Sequence, residues 1–479
     1  MTLATLPRPS RRLLCVLLAA ALAGCATPIE TTRPALDLPE HWAEAAFANA
    51  DNRAVEATWW QGFGSDELAS LIAEAQAGSP DLRIAAERVR QAELAARLAG
   101  SSLYPQLSVG ADTSAAYAGS KGVDGVGTQR TSASIGISYE IDLWGRVAAV
   151  NEGARAALRG SRYDLEAARL SLTTGVAQAY FQVLATRIRL DVARRNLAIA
   201  EKLMSIVEAR YENGVASELD RSRQRSTVLT QRASLLPLEV QERQGLSALA
   251  LLLGRAPQGM AVAAVDFAGV QVPTPTTVMP ADLLARRPDI ASSEAALAAA
   301  DADVAAARAA LLPTVSLTGA AGFASDSLLK LANPAYSVEI AASILRSLFA
   351  ADRGRNQVEV SESVRRQLVE AYRRDTYTAL KEVDDALANV GRYREQEAVQ
   401  QVIRDEAQRA LRLSEVQLRE GVETLSNLLD AQRTLFSADD QLAQLRQARL
   451  VAALDLFKAL GGGWSLPTDD PSVNRPAAP

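Results

Sequence analysis

From Ala133 to Leu143 every odd position is apolar (Ala133, Ile135, Ile137, Tyr139, Ile141, Leu143), and the even ones are Ser132, Ser134, Gly136, Ser138, Glu140 and Asp142. An alternation of period two predicts a β-strand with two different faces. A helix would scatter the same apolar set around its circumference. YSVEIAASI at 336–344 alternates likewise. Two further alternating stretches, QLSVGAD and TVSLTGA, follow Pro105 and Pro313. The pattern therefore predicts four two-faced strands, at about 105–114, 131–143, 313–323 and 336–345. Glycine-rich AYAGSKGVDGVGTQR is expected to join the first pair as a loop, and ASDSLLKLANPA the second.

The rest of the pattern is helical. No proline interrupts Arg146 to Tyr211, and Leu165, Leu172, Val176, Ala179, Val183, Leu190 and Leu197 recur with heptad spacing. A matching stretch runs from about Arg355 to Leu418, with Val364, Leu368, Ala371, Val383, Leu387 and Val390 in its seam. At 1.5 Å per residue each such helix is about 100 Å long. Shorter partner helices are expected at about 216–254 and 424–461, the second continuing a seam through Leu435, Ala438, Leu442 and Leu445. Pro237 is expected to bend or interrupt the first of them.

These elements occur twice. Asp81 and Asp289 open similar Ala-rich helices, each ending in a proline and an alternating stretch, 208 residues apart. ENGVASELD around Gly214 matches REGVETLSN around Gly421, and ALLLG ending at Gly254 matches FKALG ending at Gly461. Three matches at one period indicate a tandem duplication of a helix–strand–strand–long helix–helix unit. The repeats are expected at about 66–255 and 281–462, with the strand pairs at about 105–143 and 313–345.

The ends add a compartment. Residues 1–24 have the layout of a signal peptide, with Arg8, Arg11 and Arg12 before an apolar run from Leu13 to Leu22. That run is too short to span a bilayer. Leu22-Ala23-Gly24-Cys25 resembles a bacterial lipobox, which would make Cys25 the lipidated first residue of the mature chain. By the same resemblance, Ala26 in place of Asp favours sorting to the outer membrane. Residues 25–65 would form an anchored N-terminal segment, and Pro-rich 463–479 a disordered tail.

Composition narrows the chemistry. Cys15 and Cys25 are the only cysteines and His41 the only histidine, so a disulfide framework or a His-rich metal site is not expected. The sequence carries no nucleophile elbow, phosphate loop or zinc motif. No cofactor and no enzymatic activity are expected. Removing the three signal arginines from a precursor of charge −5 leaves −8, a poor balance for binding nucleic acid.

In a membrane, four strands of nine to thirteen residues are long enough to cross when tilted. Lipid does not tolerate open strand edges, and known spanning barrels start at about eight strands. Several chains would then have to share one barrel. Two other readings stay open: a soluble β-layer capped by helices, and a periplasmic coiled-coil scaffold, which leaves the strands unexplained.

The duplication, the strand pairs, the long hairpins and the segments YEIDLWGRV (139–147), ARRPDI (285–290) and LLDAQRTLF (428–436) resemble the TolC-type outer-membrane efflux proteins. The lipobox places the chain in the OprM/NodT-like lipoprotein branch. The resemblance spans about Trp59 to Gly462 and rests on the order and spacing of the motifs. It implies a mainly α fold with a small β part. Three chains would make a twelve-stranded transmembrane β-barrel, continued by an α-barrel of long coiled-coil-like helices into the periplasm. It implies passive conduction as the exit duct of a tripartite efflux system, with a homotrimer, a periplasmic adaptor, an inner-membrane pump and outer-membrane lipid as partners. A duct for protein secretion is the alternative.

Ser132–Val147 would then be one barrel stave, with Ile135, Ile137, Tyr139 and Ile141 toward lipid, Ser134, Ser138 and Glu140 toward the lumen, and Trp144 near the inner membrane boundary. Gly145-Arg146 and Gly354-Arg355 would start the long helices at equivalent points. A gate is expected at the periplasmic tip, where the helices turn back at Gly214 and Gly421. Asn427, Asp430 and Arg433 lie three apart on one helix face. By resemblance Asp430 matches a pore-narrowing Asp of relatives, and Asn427 stands where some relatives have a second one. Position matching brings in Asp220 and Arg223 from the first repeat. The plainer reading of Asp430 and Arg433 is an exposed ion pair of small energy.

Overall fold

The computed structural model describes residues 34–43, 55–120, 123–273, 279–326, 329, 334–345, 352–422 and 424–466. Cys25 and the expected signal peptide lie outside them. Helices α1 (Asp66–Gly78) and α2 (Pro80–Ser101) lead into β1 (Gln106–Ser120) and β2 (Val123–Ile141). The long α3 (Arg146–Glu212) and its partner α4 (Glu218–Leu252) complete the first repeat. The second comprises α5 (Pro288–Ala309), β3 (Thr314–Ser325), β4 (Ala335–Leu345), α6 (Arg353–Arg419) and α7 (Leu425–Ala459). Among the described residues no helix is long and apolar enough to cross a membrane.

Several expectations need correction. The glycine-rich stretch between the first two strands is mostly ladder, because Ala115↔Gln129, Tyr117↔Gly127 and their neighbours stay paired. Its polar composition excludes a buried strand, not a paired one that faces water. The helix α6 begins at Arg353 behind Asp352 in the left-handed conformation, so Gly354 lies inside it. The counterpart of Gly145 is thus Asp352. Of the two outcomes expected at Pro237, a bend or an interruption, the interruption does not occur, since α4 runs on both sides of it. The chain stays packed as far as Leu466, and the rest of the expected tail, 467–479, lies outside the described residues: Trp464 stands edge-on to Tyr163 with ring centroids 5.7 Å apart, and the Leu466 amide donates to the Ala285 carbonyl at 3.4 Å.

The four strands form one antiparallel sheet in the order β1-β2-β3-β4. The helices pack as two repeat-related sets. Each of α2 and α5 lies on the long helix of its own repeat, and α5 also lies on α3. α4 packs on α3, while α7 packs on both α6 and α3. The main core sits where these layers meet. Trp59 stacks on Phe457 at 5.0 Å, and Phe63, Phe181, Leu184, Leu249, Leu283, Ile290 and Leu387 fill the space around them. Burying such side chains is worth about 1.5–3 kcal/mol each. Most of the heptad seam is buried, including Val176, Val183, Leu190, Val383 and Leu387, whereas Val364 is exposed.

Two backbone crossings repeat the same geometry. Gly254 (φ 73°), just past the end of α4, lies against the carbonyl of Gly78. Gly461 (φ 86°), just past α7, lies against the carbonyl of Arg286. A Cβ at either glycine would collide with that carbonyl. The second crossing is reinforced by the ARRPDI segment. Arg287 is buried, bonds Asp289 through two nitrogens (3.0 and 2.7 Å), and reaches Glu382 at 2.7 Å and the Ala459 carbonyl at 3.3 Å. One arginine thus joins α5, α6 and the end of α7.

Burial pushes the Asp289 carboxyl up, but the guanidinium of Arg287 outweighs it and holds the pKa below the ordinary value. A depressed carboxylate pKa stabilises the fold above the ordinary carboxylate range, and that stabilisation is lost as pH falls through the lowered value. Asp289→Asn is therefore expected to lower the thermal midpoint in detergent at neutral pH and to flatten its decline on acidification. Midpoints measured from pH 7 downward check this; parallel curves for the two proteins would refute it.

Candidate channel lumen and gate

The sheet sorts its side chains by face. On one, the rows read Ile141/Val315/Ile344, Tyr139/Leu317/Ala342, Leu107/Ile137/Gly319/Ile340, Val109/Ile135/Ala321/Val338 and Ala111/Ala133/Phe323/Tyr336. Many of these are well exposed, Val109 and Ile340 to about four-fifths. The next row outward is polar, Thr113/Thr131/Ser325, with the two threonine hydroxyls 3.0 Å apart. Five rows of a tilted strand span about 20–25 Å, the height of a barrel's apolar band. Aromatic residues stand at both ends of the band: Tyr139 on the helix side, Phe323 and Tyr336 on the other. The opposite face carries Ser108, Ser134, Ser138, Glu140, Ser316, Ser343 and Glu339, with the Ser316 and Ser343 hydroxyls 2.8 Å apart.

The YEIDLWGRV segment turns β2 into α3. Glu140 receives two bonds from Arg146, at 2.9 and 2.6 Å. Asp142 accepts from the amides of Val147 (3.1 Å) and Ala148 (2.8 Å), capping the helix N-terminus with negative charge. The indole of Trp144 donates to the Pro313 carbonyl at 2.6 Å, pinning the end of β2 to the start of β3. Gly145 supplies the left-handed turn between them.

About halfway down α3, two arginines clamp it from both sides. Arg187 bonds Glu242 of α4 at 2.7 Å and the carbonyls of Val262 and Ala264 at 2.7 and 2.6 Å. Arg189 grips Asp440 of α7 at 2.6 and 3.3 Å. Asp439 of α7 meets Arg404 of α6 at 3.1 Å. Sequence reasoning missed this belt, because contacts between residues 35 to 251 apart leave no local pattern.

At the far end both long helices stop the same way. Gly214 (φ 73°) and Gly421 (φ 76°) adopt left-handed turns, and the amides of Val215 and Val422 return to the carbonyls of Arg210 (2.8 Å) and Gln417 (3.0 Å). The two hairpins then diverge. Ser217 and Asp220 form a reciprocal capping box on α4, which holds the Asp220 carboxyl below its ordinary pKa. Asp220 therefore has a local partner and does not stand free for a constriction. The matching cap of α7 is Thr424, which makes no side-chain cap bond.

Asn427, Asp430 and Arg433 share the exposed face of α7, as their spacing requires. Asp430 and Arg433 are 3.6 Å apart, with exposed side chains. On the opposite face Leu428, Leu435 and Ala438 bury against Leu203, Ala407, Leu411 and Leu418. Between them lies Gln432, fully buried, with neither amide atom hydrogen-bonded. An orphaned buried polar group costs about 1–3 kcal/mol. In the first repeat α4 is tied to α3 near the tip by Arg232–Glu201 at 2.9 Å, and buried Gln224 donates to the Ala200 carbonyl at 2.7 Å while its own Oε1 lacks a partner.

The profile of the family described as outer membrane efflux protein matches residues 71–255 and 279–462, one match per repeat. The chain belongs to that family. The pyoverdine export outer membrane protein OpmQ of Pseudomonas aeruginosa is 38% identical over 457 residues, covering 92% of this chain and 95% of its own. The toluene efflux pump outer membrane protein TtgF of Pseudomonas putida is 32% identical over 466 residues, covering 94% of this chain and 96% of its own. The open state of the Neisseria gonorrhoeae MtrE outer membrane channel superposes with a TM-score of 0.80 at 26% identity, covering 92% of this chain and 98% of its own.

This member of the outer membrane efflux family is thus an efflux channel protein of the outer membrane that extends into the periplasm. The exposed apolar band has the height and composition suited to contact with lipid. Ile137→Lys, at mid-band, is expected to cost about 2–4 kcal/mol, and Ser138→Lys on the polar face far less. Folding titrations into lipid vesicles measure both; a larger loss for Ser138→Lys would mean that the faces are assigned the wrong way round, and equal losses that lipid does not distinguish them.

Proposed function

We propose that three copies of this chain form the passive exit duct of a tripartite efflux system for small molecules. The observation that carries this reading is the incomplete repeat packing. Within one chain α5 lies between α6 and α3, α7 lies between α6 and α3, and β3 pairs with β2. Their counterparts α2, α4 and β1 each rest on one such side only. A neighbouring copy, placed as the second repeat is placed on the first, sets its α6 against α2 and α4 and its β4 against β1. The surfaces support it, since Ile84, Leu94 and Leu98 of α2 and Leu229, Leu236 and Val240 of α4 are exposed. Three chains give twelve strands, enough to close a barrel.

A periplasmic adaptor and an inner-membrane pump would then dock at the hairpin tips. OpmQ and TtgF are named for a pyoverdine and for toluene, which favours small solutes over proteins. A polar duct of this kind conducts without catalysing. Cys25 is the lipid attachment site in this reading. Its support is the lipobox, and the barrel band anchors the protein independently. Cys25→Ser behind a cleavable signal is expected to lose acylation yet still yield outer-membrane trimers. Mass spectrometry of the native N-terminus decides the first half, and an unmodified Cys25 would refute it.

The gate lies at the tip of α7. Threefold symmetry would convert Asp430, Arg433 and Asn427 into rings, with the buried, unpaired Gln432 beneath them. Replacing both Asp430 and Arg433 with Ala is expected to raise single-channel conductance in planar bilayers without loss of trimers. Asp430→Ala alone is expected to weaken the preference for cations. A double variant with unchanged conductance and ion selectivity would rule the gate out, while absence of any conductance in both the wild type and the double variant would rule out the duct.

A further inference from the structure

The internal repeat also fixes how the barrel seam between chains is aligned. The first residues of β1 and β3, Gln106 and Thr314, are 208 apart. The left-handed N-caps of α3 and α6, Gly145 and Asp352, are 207 apart. The hairpins agree independently: Gln106 pairs with Ser138 and Thr314 with Leu345, so β2 maps onto β4 with the same shift of 207. Inside the chain β2 pairs with β3 from Thr131↔Ser325 to Ile141↔Val315. Moving β2 forward to β4 and β3 back to β1 turns each of these into a pair between copies.

We infer that β4 of one protomer adds antiparallel to β1 of a second copy with Val338 opposite the partner's Tyr117, Ile340 opposite the partner's Ala115 and Ile344 opposite the partner's Ala111. This rests on the trimer proposed above and specifies its seam. Two features outside the repeat operation agree. The band face carries the odd residues of β1 and the even residues of β4, and this alignment keeps that face on one side, with Val338, Ile340 and Ile344 against apolar residues and Ala342 against the partner's Thr113; a slip of one residue would place Ile340 across from the polar face. Ile340 and Ile344 each face a small alanine, as Ile137 faces Gly319 and Ile135 faces Ala321 between β2 and β3. A slip of two residues keeps the faces matched, and only the repeat operation rejects it.

The test is disulfide trapping on the polar face, in full-length protein in isolated outer membranes. Ala341→Cys is combined with Ser114→Cys, the inferred partner, and separately with Asp112→Cys and Ala116→Cys, the two-residue slips. The chain has no cysteine beyond Cys15 and Cys25, and the single variants report any background. Mild oxidation is expected to give covalent dimers and trimers with the Ser114 pair at least about tenfold faster than with either slipped pair, since a disulfide needs Cα atoms within roughly 7 Å. Faster trapping of a slipped pair overturns the alignment. So does absence of trapping in all three when native mass spectrometry shows intact trimers. A monomeric wild type by native mass would instead remove the trimer, and this seam with it.

Discussion

A backbone N–H or C=O in hydrocarbon must be hydrogen-bonded, since each unpaired group costs several kcal/mol. The four-strand sheet satisfies this between its strands and leaves two edges, on β1 and β4, that it cannot satisfy alone. The rest of the chain is arranged around that deficit. The duplication supplies two hairpins whose faces match row by row, and β2 and β3 join them across the repeat boundary. Trp144 on Pro313 holds that joint where the sheet gives way to helix. The long helices inherit their spacing from the strands above them.

Below the sheet the problem becomes one of packing rather than pairing. A helix of about 100 Å cannot be stabilised by propensity alone and needs neighbours along its length. The aromatic core around Phe181 and Phe457 supplies them at one level, and the ion pairs of Arg187 and Arg189 at another. The glycine crossings at Gly78–Gly254 and Arg286–Gly461 bring the ends of the shorter helices into backbone contact with the next element. Arg287 neutralises the charge that such close approach gathers there.

Much of this was legible in the sequence because it is periodic. Alternation located all four strands, heptads located the helix seams, and Gly214 and Gly421 marked turns that only a left-handed residue makes easily. What escaped is non-local or compensated. The first hairpin runs through a glycine-rich stretch because cross-strand pairing overrides weak β-propensity. Asp352, not a glycine, takes the left-handed N-cap of α6, a role asparagine and aspartate tolerate better than other side chains. Pro237 sits within α4, where packing on α3 outweighs one lost hydrogen bond. At the tip, spacing placed Asp430 and Arg433 on one exposed face. Ser217-x-x-Asp220 has the spacing of a capping box, so the engagement of Asp220 was legible in the sequence, whereas no pattern announced that Gln432 is buried without a partner.

The belt at Arg189 gives the second hairpin the mechanics of a lever. Asp440 and Asp439 hold α7 to α3 and α6, and Leu425 lies fifteen residues further down. At 1.5 Å per residue that arm is about 22 Å long. A tilt of about 15° about this fulcrum sweeps the end of α7 through roughly 6 Å, while the arginine pairs absorb only the small rotation at the pivot. In the gate proposed above, the aperture would change width by several ångströms per subunit with the barrel in the membrane standing still.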